Sequence, residues 1–316
     1  EYISGDGTDL TITSGNDIVL AVGAAGSVYH TGDGGSNNTI YGLNAGVALA
    51  SGGNSNVLLG ENAGAALTIG DGNVAIGHGA FDAADLGEEG NIAIGYNALG
   101  AVDEGGSGGD SDYNIGIGYQ ALLGGAFGSD IALQSNIAIG AFALDATAGN
   151  AMTGTIAIGH AALTALTTGA GNVAIGYQAL LEHTTGINNI AIGYQTMHDT
   201  GGGGNSVISQ GNVIIGKSAG SGAWNDQCNR NIAIGELALS GALNNSSNNV
   251  CIGYQAGDAI TTGDGNIAIG YQADVGAVGA INQTAIGNTV TGVNTDDSVT
   301  LGNDDVTAVY MASDSG

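Results

Sequence analysis

The chain has 316 residues, including 61 glycines and no proline, and its formal net charge at pH 7 is −27. Glycine at this level without proline excludes collagen, and a hydrophobic fraction of 43% is too high for a disordered chain. Two basic residues against 29 acidic ones argue against nucleic acid or anionic membranes as partners, and the lack of an apolar run of about 18 residues argues against membrane insertion.

The first predicted element covers residues 1–37, where turn sequences interrupt short, irregular strands. Gly-Asp-Gly occurs at 5–7 and again at 32–34, and both residue types favour turns. We therefore predict that this element is an N-terminal cap or attachment segment.

Residues 38–290 repeat one motif, Asn-Ile/Val-Ala-Ile-Gly, and its spacing predicts the fold. The glycines that close successive motifs are most often 17 residues apart, as in Gly159, Gly176 and Gly193. A unit this short cannot bury its own apolar face, so neighbouring units must stack. We predict an all-β shaft, a β-solenoid of the parallel β-roll or β-helix type with coils of about 17 residues.

Some closing glycines are further apart, which indicates loops inserted at one point of the coil. The four inserts, all predicted to be surface loops, are 101–113, 124–135, 198–211 and 217–230. The last of them contains the only tryptophan, Trp224.

Within the motif, large and small apolar residues alternate, as in Ile92-Ala93-Ile94. Period-two alternation with β-branched residues predicts a strand. We expect the large side chains to fill the coil and the alanines to face outward, where they would permit close approach of another subunit.

An asparagine opens most motifs. In stacked coils these amides would lie above one another and hydrogen-bond as a ladder, so we predict a structural role for them. The predicted ladder consists of Asn73, Asn91, Asn114, Asn136, Asn172, Asn189, Asn212, Asn231, Asn249 and Asn266.

The residue after each closing glycine is usually aromatic, as at Tyr119 and Tyr177, and a leucine follows three residues later. Lys217 and Glu236 occupy this aromatic position in consecutive motifs. At a rise of about 4.8 Å per coil, we predict an ion pair between them.

The last predicted element is residues 291–316, where the motif degrades into terminal strands. Two cysteines, Cys228 and Cys251, fit either a disulfide between neighbouring coils or two free thiols.

The text from Asn172 to Gly186, Asn-Val-Ala-Ile-Gly-Tyr-Gln-Ala-Leu with a downstream Thr-Thr-Gly, resembles repeats of phage tail-fibre and bacterial surface-fibre proteins. Those relatives carry a C-terminal, self-cleaving chaperone of the endosialidase type, and residues 297–307 look like the segment that precedes it. A looser similarity is to the heads of trimeric autotransporter adhesins. Both resemblances imply a homotrimeric rod, and the first implies that such a chaperone has been removed.

The sequence contains few candidates for a metal site or a catalytic group. Aspartates in Gly-Asp-Gly turns can offer oxygen ligands to a structural Ca²⁺, and the candidates are Asp6, Asp33, Asp71 and Asp264. The alternative is ordinary turn chemistry. No spacing predicts a zinc site, a cofactor or a catalytic group, so we expect a protein that is not an enzyme.

These observations favour a structural fibre or adhesin shaft at an extracellular or virion surface. Its expected partners are copies of itself and a cell-surface glycan or protein receptor. One alternative is a subunit of an extracellular filament joined end to end. Another is a tail spike that binds or cleaves glycans, although acidic residues such as Asp82 and Glu89 look like solvated loop charge.

Overall fold

A computed structural model of the chain describes residues 35–84, 87–102, 111–124, 133–147, 152–200, 209–225 and 227–309. Every regular element in these ranges is a β-strand, which confirms the prediction of an all-β, parallel β-solenoid. Across the same ranges, no helix has the length and apolarity to cross a bilayer. Most of the predicted N-terminal segment, residues 1–34, lies outside the described residues.

Fifteen of the strands form a single parallel sheet, in which neighbours follow one another along the chain. These strands are β1 (Thr39–Tyr41), β2 (Val57–Leu59), β3 (Val74–Ile76), β4 (Ile92–Ile94), β5 (Ile115–Ile117), β7 (Ile137–Ile139), β9 (Ile156–Ile158), β10 (Val173–Ile175), β11 (Ile190–Ile192), β12 (Val213–Ile215), β13 (Ile232–Ile234), β14 (Val250–Ile252), β15 (Ile267–Ile269), β16 (Thr284–Ile286) and β17 (Val299–Leu301). Two short strands, β6 (Leu133–Gln134) and β8 (Met152–Thr153), pair separately. Like residues of successive motifs are in register, so that Val173 pairs with Ile190.

The sheet buries the face that we expected to be exposed, and exposes the face that we expected to be buried. Ala174, at the centre of β10, is buried, whereas Val173 and Ile175 point outward and are partly exposed. The interior of the coil is narrow, and it is already occupied by the leucine that follows the closing glycine, here Leu180. Only a small residue fits opposite that leucine, so the β-branched side chains face out.

The central strand residue and the residue four positions after the closing glycine are matched in size. Where the centre is Leu58, the second position is Gly64, and a Cβ on Gly64 would lie 2.8 Å from Leu58 Cδ2. Large central residues also face a glycine in three other coils, at Ile40 with Gly46, Ile214 with Gly220 and Cys251 with Gly257. In each coil of the main sheet from β1 to β14, one of these two positions therefore carries the larger side chain and the other carries alanine or glycine.

The leucines four positions after the closing glycines have an unusual backbone conformation. Leu180 has a φ of 53°, a left-handed conformation that costs roughly 1–2 kcal/mol for a residue with a Cβ. Its side chain is fully buried, which stabilises the fold by about 1.5–3 kcal/mol. Burial outweighs the strain, and the same geometry recurs at Leu99, Leu122, Leu144, Leu163 and Leu239.

The closing glycine has no substitute, for two reasons. Gly176 has a φ of 140°, which L-residues rarely adopt. A Cβ there would also overlap the backbone carbonyl of Gly193 in the next coil. The motif therefore ends in glycine because successive coils approach too closely at this corner for any side chain.

The insert 217–230 is not simply a surface loop, because Trp224 is fully buried. Its coil has glycine, Gly220, where six other coils have leucine, and Trp224 Cζ2 would lie 3.2 Å from a Cβ at that position. Trp224 and Ile214 therefore both lie in the core space that a leucine fills in those coils. The other inserts lie largely outside the described residues, at 103–110, 125–132 and 201–208.

Both cysteines are buried and neither forms a disulfide, so the disulfide alternative does not hold. Burial raises the pKa of the Cys251 thiol, and such a thiol is inert because the thiolate is the reactive form. Cys251 acts as a core residue that packs against Gly257.

Candidate functional site

The asparagines of the predicted ladder form a buried column along the inside of one corner. Asn231 donates its backbone N–H to Asn212 Oδ1 at 2.9 Å, and its Nδ2 donates to the same oxygen at 3.3 Å and to the Ser246 carbonyl at 2.9 Å. Asn249 repeats these bonds with Asn231 Oδ1, at 3.0 and 3.1 Å. All ten predicted members are fully buried, so the column joins coils rather than binding a ligand.

Thr155 interrupts this column. Its N–H donates to Asn136 Oδ1 at 3.0 Å, and its hydroxyl is 3.4 Å from the Gly169 carbonyl. Within the described chain, no hydrogen bond joins Thr155 to Asn172 in the coil above. The threonine side chain is too short to reach both neighbours, so the ladder has two separate sections.

The structure gives the predicted calcium ligands a different role. Asp71 accepts a hydrogen bond from the backbone N–H of Asn54 in the preceding coil, and Asp264 accepts one from Ser247 at 2.6 Å. Each carboxylate therefore joins two coils and needs no cation to do so. The other two candidates, Asp6 and Asp33, lie outside the described residues, and the described residues contain no group of three potential metal ligands.

The outward face of the sheet is a continuous apolar surface along the described coils. From β2 to β15, nearly every strand of the main sheet carries Ile, Val or Leu at both outward positions. These side chains are only partly covered, and Ile234 is 38% exposed. This continuous apolar face lies on a chain whose formal net charge is −27.

Beside this face runs a column of the residues that follow the closing glycines, which we call the trailing edge. His78 and Tyr96 stack with ring centroids 5.1 Å apart, and Tyr177 and Tyr194 stack at 5.2 Å. The parallel rings cover one another's faces and leave mainly their edges exposed. The stacking is interrupted at Phe142, which contacts Tyr119 and His160 edge to face.

Lys217 and Glu236 continue the trailing edge above Tyr194. The lysine Nζ lies 2.8 Å from Glu236 Oε1, and this hydrogen bond raises the pKa of Lys217. Their side chains are 62% and 44% exposed, so the pair contributes little to stability. Near the other end of the edge, His78 is 4.0 Å from Glu61.

Two carboxyl groups meet at another corner of the coil, a feature that the sequence analysis missed. Burial, followed by a hydrogen bond that protonated Asp274 donates to the side chain of Asp258, raises the pKa of Asp274 to about 7. Glycoside hydrolysis requires carboxyl groups about 5–9 Å apart, and groups that share a hydrogen bond are closer than that. The pair therefore gives no support to a glycan-cleaving spike.

His183 is a fully buried histidine whose pKa burial lowers to about 4, so the ring is neutral at pH 7. Its Nε2 lies 3.4 Å from Asn189 Nδ2, which can only donate, and its Nδ1 lies 3.2 Å from Thr200 Oγ1. Both ring nitrogens therefore lie within hydrogen-bonding distance of a polar side chain. This histidine contacts the ladder through Asn189.

The chain matches no known protein-family profile, and no curated protein sequence is significantly similar to it.

Proposed function

We propose that the protein is a homotrimeric, non-catalytic fibre shaft that mediates attachment to a host or another surface. The observation that carries this proposal is the outward apolar face of the sheet. Partly exposed aliphatic side chains over this length make a surface on the order of 1,000 Å², whereas the largest patch on a typical monomer is roughly 300–600 Å².

Copies of the same chain are the partners that suit this face. The face is straight and only two outward side chains wide, and it repeats at each coil with the same aliphatic residue types. A rotation axis parallel to the solenoid brings identical narrow faces together along their whole length. The number of chains, three, rests on the resemblance of the repeat to trimeric surface fibres.

The shape and charge of the shaft suit an exposed location, either extracellular or on a virion. Fifteen parallel strands at about 4.8 Å make a rod about 70 Å long. The acidic surface keeps the assembled shafts apart in solution. The shaft would hold a receptor-binding end, with a glycan or protein receptor, away from the particle or cell that carries it.

A second candidate is a subunit of a filament joined end to end. The observation that favours it is the exposure of both ends of the sheet, since Tyr41 in β1 is 81% exposed and Val299 in β17 is 68% exposed. Unpaired edge strands are templates for further pairing. In that arrangement β17 of one copy would pair with β1 of the next.

Light scattering of the purified chain after size exclusion tests the proposal. We expect the mass of three chains for the native protein and that of one folded chain for Ile234→Lys, because three ammonium groups would be buried at the axis. Ala242→Lys, an exposed site in the same coil, is the matched control and should remain trimeric. A monomeric native chain contradicts the proposal, and polymers of indefinite mass support the filament instead.

A further inference from the structure

The only two basic residues of the chain lie in neighbouring coils, on opposite sides of the apolar face. Arg230 comes two residues before β13 (Ile232–Ile234), and Glu236 comes two residues after it. Because a strand of this sheet runs across the long axis of the solenoid, both side chains lie at about the same height. Lys217, in the coil below, is on the same side as Glu236.

Arg230 belongs to a second column, the leading edge, formed by the residues five positions before the closing glycines. The members in other coils are uncharged from Ser55 to Asn282. Arg230 is exposed, and within the described part of the chain its guanidinium has no carboxylate at ion-pair distance. An unpaired arginine is notable in a chain with 29 acidic residues.

In three coils the residue at the leading edge is also much smaller than the residue at the trailing edge. Three leading-edge residues, Gly72, Gly154 and Gly265, have nothing within 4 Å of where a Cβ would be. Their own coils carry long side chains at the trailing edge, for example Tyr271 in the coil of Gly265. The ring of one edge therefore has open space available at the other edge of an identical coil.

We propose that adjacent copies of this chain meet edge to edge, with Arg230 of one copy bound to Glu236 of the next. This contact rests on the proposed cyclic assembly. Rotation about an axis parallel to the solenoid places the trailing edge of one copy against the leading edge of its neighbour at the same height. An antiparallel arrangement would not place this coil opposite itself unless the axis passed through it.

This contact fixes the relative direction of neighbouring chains and their offset along the solenoid axis. The apolar faces look nearly the same after a slip of one coil, about 4.8 Å, so they do not fix the register. A slip in one direction would place Arg230 against Lys217, a repulsive contact, and in the other direction against Tyr254. Charged rim contacts characteristically specify register in this way.

Paired cysteines and a short bismaleimide test the contact. We expect Arg230→Cys combined with Glu236→Cys to give covalently linked trimers on a denaturing gel. A link within one chain would leave the mass of a single chain on the gel, so linked trimers report a contact between copies. Cys228 and Cys251 are buried, and the single variants measure any reaction at them.

The matched control combines Arg230→Cys with His160→Cys, a trailing-edge residue four coils below, about 19 Å away along the axis. This variant should give at least tenfold less linked product. Equal linking of both pairs, or no linking in a native-like oligomer, would overturn the contact but leave the proposed trimer in place. A native chain that is monomeric by light scattering would overturn the proposed function and the contact with it.

Discussion

The size matching between Leu58 and Gly64 gives a quantitative prediction about the core. Leu58 is fully buried, so Leu58→Ala leaves a cavity and should lower the free energy of unfolding by about 3 kcal/mol. Gly64→Leu alone places a Cβ at 2.8 Å from Leu58 Cδ2. We expect this overpacking to cost about 1–3 kcal/mol.

The double variant should recover most of the loss, because it recreates the arrangement that the coil of Ala174 and Leu180 already uses. Residue 64 has a φ of 57°, close to the 53° of Leu180, so its backbone can hold a leucine. We expect the double variant to lie within about 1 kcal/mol of the native protein, which is a coupling of several kcal/mol.

Urea unfolding followed by circular dichroism measures all four proteins of this cycle. The control combines Leu58→Ala with Gly265→Ala, a distant position where a Cβ meets nothing within 4 Å, and it should be additive. If the two changes at 58 and 64 were also additive, the two residues would not share one core space, and the described packing of the coil would be wrong.

Three further predictions concern the ladder, the closing glycine and the carboxyl pair. Thr155→Asn joins the two sections of the ladder and should raise the free energy of unfolding by about 1 kcal/mol, seen as a higher urea midpoint; an unchanged midpoint would contradict this. Gly176→Ala forces a Cβ into the Gly193 carbonyl and should cost more than about 3 kcal/mol, seen as a loss of folded protein on thermal melting. The raised pKa of Asp274, about 7 against the ordinary 3.8, means that the folded state holds its proton more tightly than the unfolded state does. Asp274 therefore contributes fully to the free energy of unfolding below about pH 4, and this contribution is lost as the pH rises to about 7. We expect the free energy of unfolding to change by about 1–2 kcal/mol over this range, after allowance for the solvent access of this half-buried group. Asp274→Asn should flatten that part of the pH profile, and an unaltered profile would show that another group is responsible.

The spacing of the motif was sufficient to predict the solenoid, because the closing glycine recurs wherever two coils come too close for a Cβ. It was not sufficient to predict which strand face is buried. Alternation of Ile and Ala has the same period in either phase, and burial of the larger residue was the wrong choice. The pairing of Leu58 with Gly64, and of Ile214 with Gly220, carried the missing information, since large residues facing glycine identify the crowded side.

Other features depend on the path of the chain between motifs, which periodicity does not describe. Trp224 lies in an insert, and only the three-dimensional path brings it to the core space beside Gly220. His183 and the Asp258–Asp274 pair likewise meet their partners across coils at corners where the sequence is irregular. Arg230 and Glu236 lie at the two edges of one face, and this can be recognised only once it is known that the isoleucines point outward.

Cryo-electron microscopy of the purified protein tests most directly whether the outward apolar face lies at the centre of a trimer. It shows which surfaces of the solenoid lie at the centre of the particle. The account predicts discrete rods with a three-fold cross-section, a described length of about 70 Å, and the outward Ile and Val rows of β2–β15 facing the axis. Single solenoids with those rows exposed to solvent, or assemblies that bury a different face, would contradict it.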